Sequence, residues 1–334
     1  MIKYLSIILV AVITVFLLLF RTSPEEKNIL DHNVRSKSSY NFVKLNNGYT
    51  AYDISGPDTG HVVVFIHGGT IPMCIWSEQI GFFTEAGFRV LCYDQYGRGE
   101  SDRPDTEYNR ALFTSQLKEL LDALEISYPV SLVGPSFGGA ISVSFASKYP
   151  ELVNSIVLIS PVLNLDRSNS SLKLPFQIAR LPFLGKPIFR SLILGKIIER
   201  GHLQVAGGKD SPCYSQFLNQ FTYKGTSDAL YSMFISDAFK NYLDETGIVG
   251  KQTKNILLMR GKKDKEITES MIDEIRLLLP ECKFKELDSG HSPNADSSSD
   301  SFNQLIVDFL KDSISKESPQ EDKSKENKTG KSDN

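Results

Sequence analysis

The chain has 334 residues, 41% hydrophobic and 23% charged, an ordinary globular balance that excludes a wholly disordered or collagen-like polypeptide. Lys and Arg number 37 against 40 Asp and Glu, a net charge of −3. That balance offers no whole-chain attraction for nucleic acid, and no nucleic-acid partner is expected.

Residues 4–20 (YLSIILVAVITVFLLLF) carry no charge and lie between Lys3 and Arg21. A run of seventeen residues, polar only at Ser6 and Thr14 besides the Tyr4 hydroxyl, sits at the short end of what spans a hydrocarbon core. A cleaved signal peptide and an uncleaved signal anchor compete, with a buried helix as the third reading. RTSPEEK follows Phe20 without an A-x-A cleavage pattern, which favours the anchor and makes a membrane the expected partner of the N-terminal segment. With Lys3 on the cytoplasmic side, the body would face the lumen or the exterior; cleavage would make it a secreted protein.

Residues 40–54 alternate around Asn46-Asn47-Gly48, a hairpin signal. Short apolar runs then alternate with helical patterns. Strands are expected at 61–66, 88–93, 128–133 and 155–159, and helices at 76–86, 110–125 and 137–149. Such alternation predicts an α/β fold with a mostly parallel sheet covered on both faces. The alternation stops near Val162 and resumes at 255–259, with a helix near 268–279, a strand at 283–287 and a helix near 300–311. Roughly 85 residues between two strands are too many for a loop, and they are read as a helical lid rather than a second domain. After Ile314 no aliphatic or aromatic residue occurs, so a solvated tail is expected. The expected organisation is an anchor (1–21), a linker (22–38), a core (39–161 and 250–312), a lid (162–249) and a polar tail (313–334).

Cys74, Cys92, Cys213 and Cys282 form no CxxC pair and no zinc spacing, and no pairing among them is predicted. Cys92, in the run RVLCYD, reads as a small buried hydrophobe. Sequons stand at Asn169 and Asn327.

The sharpest chemical signal is Gly134-Pro135-Ser136-Phe137-Gly138-Gly139, which ends a strand and opens a helix. This is the setting of a G-x-S-x-G nucleophile elbow. The turn is tight, small residues let strand and helix approach, and the Ser136 hydroxyl is displayed at the sheet edge. The N–H of Phe137 falls at a helix N-terminus, where free donors favour an anion. His67-Gly68-Gly69-Thr70 follows the strand at 61–66, and the Gly69 N–H is the expected second oxyanion donor. His67, beside that donor, is not expected to be the base.

Of the remaining histidines, His32 lies in the polar stretch after the apolar run, His61 begins a strand and His202 lies in the lid. His291, in the turn-rich Asp288-Ser-Gly-His-Ser-Pro after the last strand, is the expected base. Asp264, just past the strand at 255–259, is the expected acid, with Asp166 and Glu266 as rivals. The order Ser136, Asp264, His291 fits this type of triad.

With these segments in hand, residues 40–312 resemble an α/β-hydrolase with a lid, of the esterase, lipase and peptidase-like group. Asp94-Gln-Tyr-Gly-Arg-Gly-Glu-Ser101 is similar to the family's D-x-x-G-x-G-x-S segment, which implies scaffold roles for Asp94, Arg98 and Ser101. Two departures stand out: Pro135, where many members carry a bulky residue, and Thr70-Ile71-Pro72, which does not fit proline iminopeptidases. The resemblance implies a serine hydrolase acting through an acyl-enzyme, with no metal or organic cofactor. Ser136 at the elbow argues against the dehalogenase and epoxide-hydrolase branches, which use Asp there. An apolar lid and an anchor favour an ester-like, lipid-like small molecule such as a monoacylglycerol. An amide, peptide or C–C substrate, transfer to an alcohol, or a non-catalytic binding member are the alternatives.

Overall fold

A computed structural model describes residues 25–168, 173–202, 204–205, 208–252, 255–292 and 300–317, together with Tyr4 and Thr14. All of the expected anchor except Tyr4 and Thr14, both sequons and most of the expected tail therefore lie outside the described residues. No helix among the described residues is long and apolar enough to cross a membrane.

Eight strands form one sheet in the order β1-β2-β4-β3-β5-β6-β7-β8. β1 (Asn41–Leu45) and β2 (Gly48–Ser55) make the expected hairpin, with Leu45 opposite Gly48 across a two-residue turn. β2 runs antiparallel to β4 (Arg89–Tyr93). The rest is parallel: β3 (Val62–Ile66), β5 (Val130–Pro135), β6 (Val153–Ile159), β7 (Ile256–Gly261) and β8 (Lys283–Leu287). β3, β5, β6 and β7 are buried at every position, which explains their mainly apolar composition: both faces of the sheet are covered. β8 closes one edge and alternates exposed Lys283, Lys285 and Glu286 with half-buried Phe284 and Leu287.

The helices follow the strands. α1 (Ser77–Glu85) packs on β4, α2 (Arg110–Ala123) on β1, and α3 (Phe137–Lys148) on β3, β5 and β6. Between β6 and β7 come α4 (Lys173–Ala179), the turns Gly185–Ile188 and Phe189–Ile193 leading into α5 (Leu194–His202), α6 (Pro212–Asn219), α7 (Thr226–Ile235) and α8 (Leu243–Gln252). After β7 come α9 (Glu269–Leu278) and α10 (Asp300–Glu317), the latter on β6 and α1.

Several boundaries differ from expectation. α8 packs on α3 and α9, so the residues expected to end the lid near 249 already belong beside the sheet. α10 runs on to Glu317 with Ser313 buried, so the polar stretch expected from 313 begins as helix. Residues 26–38, expected as a linker, are fastened to the body. The Glu26 carboxylate accepts from Gly225 N (2.8 Å) and Ser227 N (2.6 Å) at the N-terminus of α7. Asn28 N donates to Thr222 O, and Arg35 pairs with Asp102. Cys92 is buried as expected. Cys74 and Cys213 form a disulfide between the segment after β3 and α6.

Candidate active site

The chain turns to one side after β3 to make β4, and β5 returns to the other side of β3. That reversal opens a crevice at the C-terminal ends of β3 and β5, where ligands bind in open α/β sheets. The segment after β3 carries His67, Gly68 and Gly69; the turn after β5 carries Ser136.

Ser136 is held with φ 50° and ψ −117°, a left-handed setting that a non-glycine residue adopts only under constraint. The constraint is local. Ser136 N donates to Ile159 O on β6 (2.9 Å), and Ser136 O accepts from Val162 N (3.1 Å). The neighbouring glycines leave no room for a side chain. A Cβ on Gly138 would stand 2.1 Å from Ile66 O, and one on Gly134 2.4 Å from the backbone of Gly138. Strand and helix approach that closely only because both positions lack a Cβ.

Three residues far apart in sequence meet here. The Ser136 hydroxyl lies 3.2 Å from His291 Nε2, to which it can donate. His291 Nδ1 donates to Asp264 Oδ2 at 2.8 Å. Asp264 Oδ1 in turn accepts from Glu266 N (2.8 Å) and Ile267 N (3.1 Å), so the loop after β7 orients the carboxylate. Burial pushes the Asp264 pKa up, but the His291 contact and the Ile267 amide outweigh it and leave it below the usual carboxylate value. An ionised Asp264 fixes the proton on His291 Nδ1 and leaves Nε2 free to accept.

Phe137 is the first residue of α3, so its N–H has no partner within the helix. A Cβ on Gly69 would lie 3.8 Å from Phe137 Cβ, and one on Gly68 3.8 Å from Ser136 Cβ. The segment that carries the expected donor Gly69 therefore packs against the serine turn that carries Phe137.

The rivals and other histidines lie elsewhere or in other roles. Asp166 is exposed and faces Arg180 at 4.0 Å. Glu266 pairs with Arg200. His61 Nε2 bonds the Ser131 hydroxyl at 2.8 Å, and the His202 ring lies tilted against Tyr214. His67 is fully buried. Its Nε2 accepts from Gln95 N (3.0 Å), so Nδ1 carries the proton and donates to Gly68 O (2.7 Å). Burial first, then the Arg98 charge, push its pKa down to about 3, so it stays neutral.

Asp94 bonds Met73 N and Glu100 N at 2.8 Å each, and Ser101 Oγ donates to Asp94 O. Arg98 has a further consequence that its sequence context does not reveal. Fully buried, it donates from Nε to Gly69 O (3.0 Å) and from Nη1 to Tyr96 O (2.8 Å), which holds the peptide beside the expected oxyanion donor. Its place between two glycines, Gly97 and Gly99, is the only sequence signal for this role.

A cavity of about 840 Å³, including its open mouth, lies over Ser136 and His291. Its walls are mainly apolar, with Ile75, Leu165, Phe176, Ile197, Phe234 and Phe239. Phe176, Phe234, Phe239 and Phe137 form a column of rings at successive centroid distances of 4.0, 4.8 and 4.6 Å, running from α4 down to the serine turn. The Arg200–Glu266 pair supplies one polar wall, a pocket feature that no sequence motif announces. Among the described residues, no three His, Cys, Asp or Glu side chains gather to hold a metal ion.

Comparison with known proteins gives the same fold. Residues 61–298 match the family model for the alpha/beta hydrolase fold. A 2-hydroxy-6-oxo-6-phenylhexa-2,4-dienoate hydrolase from Comamonas testosteroni is 38% identical over 106 residues, 30% of this chain and 37% of that one. A non-heme chloroperoxidase from Streptomyces lividans is 33% identical over 107 residues, 32% of this chain and 39% of that one. The matched stretch thus spans less than half of these relatives. Among solved structures, a carboxylesterase from Bacillus subtilis aligns with a TM-score of 0.64 at 20% identity, covering 82% of this chain and 92% of that one. An enol-lactonase from Burkholderia xenovorans aligns with a TM-score of 0.62 at 21% identity, covering 81% and 100%. With its sheet, its serine turn and the match over residues 61–298, the chain belongs to the alpha/beta hydrolase fold family.

Proposed function

We propose that the chain is a serine hydrolase that cleaves an ester-like bond in an apolar, lipid-like substrate, and that residues 4–20 anchor it to a membrane. The observation that carries the catalytic part is the relay from Ser136 Oγ through His291 to Asp264, at 3.2 and 2.8 Å. His291 Nε2 takes the hydroxyl proton as Ser136 Oγ attacks the substrate carbonyl. The N–H groups of Gly69 and Phe137 hold the oxyanion; one such donor is worth about 3 kcal/mol of barrier. His291 then gives its proton to the leaving oxygen, and water, activated by the same imidazole, releases the acid from Ser136. The aromatic column and the apolar cavity support an acyl or alkyl group as ligand, of the monoacylglycerol type. The Cys74–Cys213 disulfide supports a body on the lumenal or extracellular side, where disulfides persist.

A fluorophosphonate probe tests the catalytic part. The wild-type chain should label and Ser136→Ala should not; a folded wild type that stays unlabelled would favour a non-catalytic binding member. A chain-length series of p-nitrophenyl esters and monoacylglycerols, assayed in detergent, tests the substrate. Turnover restricted to acetyl esters would exclude the lipid-like class. A second reading, hydrolysis of a C–C bond in an acidic substrate, is favoured by the stretch shared with the dienoate hydrolase and by the Arg200 guanidinium in the cavity wall. Turnover of a vinylogous 1,5-diketone acid in preference to every ester would select it.

A further inference from the structure

We propose that the outer surface of the helical hairpin built from α4 and residues 185–202, with Phe183 at its tip, seats on an anionic lipid bilayer. The inference rests on the reading of residues 4–20 as a membrane segment for one of its four supports.

The first support is exposed apolar surface. Leu174, Ile178, Leu181, Phe183, Leu184 and Leu192 are all exposed large hydrophobics within nineteen residues of sequence. Leu174 and Ile178 are four apart on α4 and share one face. Phe183 is 99% exposed and has φ 61°, so an aromatic side chain is displayed to solvent on a left-handed backbone. Clustered apolar exposure of this kind marks an interaction surface.

The second support is charge. Residues 173–200 carry six Lys or Arg and one Glu in a chain of net charge −3. Asp166, Asp228 and Glu266 pair with four of these bases, and a positive excess remains. Exposed apolar side chains in a segment with an excess of bases match the interface of an anionic bilayer.

The third is where the chain leaves the body. Glu26 is tied to the N-terminus of α7, and Phe234 at the other end of α7 stacks on Phe176 of α4. α7 has ten residues, about 15 Å of helix. Only residues 21–24 separate Phe20 from Glu25, a reach of at most about 18 Å. An anchor in the bilayer therefore draws this side of the molecule toward the lipid.

The fourth is continuity with the cavity. Phe176 on α4 and Ile197 on α5 line it from the inner side of the same hairpin. A hairpin seated on the bilayer would thus hold one wall of the cavity at the lipid surface.

The test uses a reporter tryptophan in the full chain. The native chain has one tryptophan, Trp76, which is 1% exposed, so Phe183→Trp adds a distinguishable fluorophore. Tyr128→Trp, just before β5 at the opposite end of the strands from the crevice, is the control. Each protein is reconstituted into vesicles of equal phosphatidylcholine and phosphatidylglycerol, with and without brominated acyl chains, and vesicle association is scored by flotation. Fluorophosphonate labelling checks that the site is intact. The expected result is a blue-shifted emission from the Phe183→Trp reporter, quenched at least twofold by bromolipid and less in pure phosphatidylcholine, with the Tyr128→Trp control unaffected. A chain that floats but leaves the Phe183→Trp reporter at its solvent emission overturns the proposal while the anchor reading stands. A blue shift without quenching overturns it in favour of a second copy if the shift falls on dilution in the bilayer, and in favour of cover by the chain's own residues if it does not. Quenching that salt reverses, without stable flotation, supports the surface and removes the anchor. Neither flotation nor quenching removes both.

Discussion

The covalent link between Cys74 and Cys213 permits a prediction whose size follows from the chain. The two residues lie 139 apart in sequence, so the bond closes a long loop in the unfolded ensemble. The chain-entropy relation gives a loss of about 17 cal/mol/K for such a loop, about 5 kcal/mol at 25 °C. Whole-domain stabilities are about 5–15 kcal/mol, so the bond would supply a large share. Both residues are buried, and replacing them by Ala removes little side-chain volume. The expectation is that Cys74→Ala/Cys213→Ala lowers the urea midpoint by about 2 M, taking a slope of about 2.5 kcal/mol per molar. Trp76, two residues from Cys74 and buried against Phe65, reports the transition by fluorescence. Wild type in reducing agent should reproduce the variant. Thiol titration of denatured, non-reduced wild type should count two thiols, those of Cys92 and Cys282. A count of four, with a midpoint unchanged by the double substitution, would refute the reasoning.

Three further expectations follow from the packing around the serine turn. Gly138→Ala drives a Cβ to 2.1 Å from Ile66 O and should cost more than about 3 kcal/mol in thermal unfolding, whereas Gly195→Ala in α5 meets no atom within 4 Å and should be neutral or stabilising by about 0.5–1 kcal/mol. Arg98→Met frees the Gly69 carbonyl and should lower kcat about ten- to a hundred-fold with KM within about twofold, less than the loss of an oxyanion donor itself; an unchanged kcat would remove Arg98 from the machinery. The pH dependence sets two buried groups against each other. His67 has a folded pKa of about 3, below its unfolded value of about 6.5, so the unfolded chain binds the extra proton between them and stability falls as pH drops through that window. Asp94 is raised by burial to about 6, above about 3.9 unfolded, so stability rises as pH drops from 6 to 4. Removing the opposing group in Asp94→Asn should therefore steepen the acid loss between pH 6 and 4 by about 1.4 kcal/mol per pH unit relative to wild type; equal slopes in urea titrations would show that the opposition is absent.

The sheet and the serine turn were legible because their signals are local. Short, mainly apolar runs mark strands covered on both faces, and glycines beside Ser136 mark a turn that tolerates no Cβ. Place after a strand and chain order fit Asp166 as well as Asp264, and it is the structure that puts Asp264 alone of the three in hydrogen-bond contact with His291. Long-range features were silent. The disulfide joins residues 139 apart with no spacing signal, and Glu26 is one acid in a polar stretch until α7 presents its free N–H groups. The stretch that forms α8 was assigned to the lid because its neighbours α3 and α9 are not visible in the sequence, and the polar composition from 313 onward concealed the burial of Ser313. Arg98 read as scaffold, since only the folded loop brings the Gly69 carbonyl to it.

The β8 edge has a consequence for crowding. Its outer flank offers backbone donors and acceptors to any passing extended chain, the template from which aggregates grow. Lys283, Lys285 and Glu286 stand outward along it, and Lys283 and Glu286 are engaged by Asp312 and Arg260. A copy docking in line would have to crowd these charged side chains against its own. The strand thereby discourages recruitment of its own kind wherever many copies gather at close quarters.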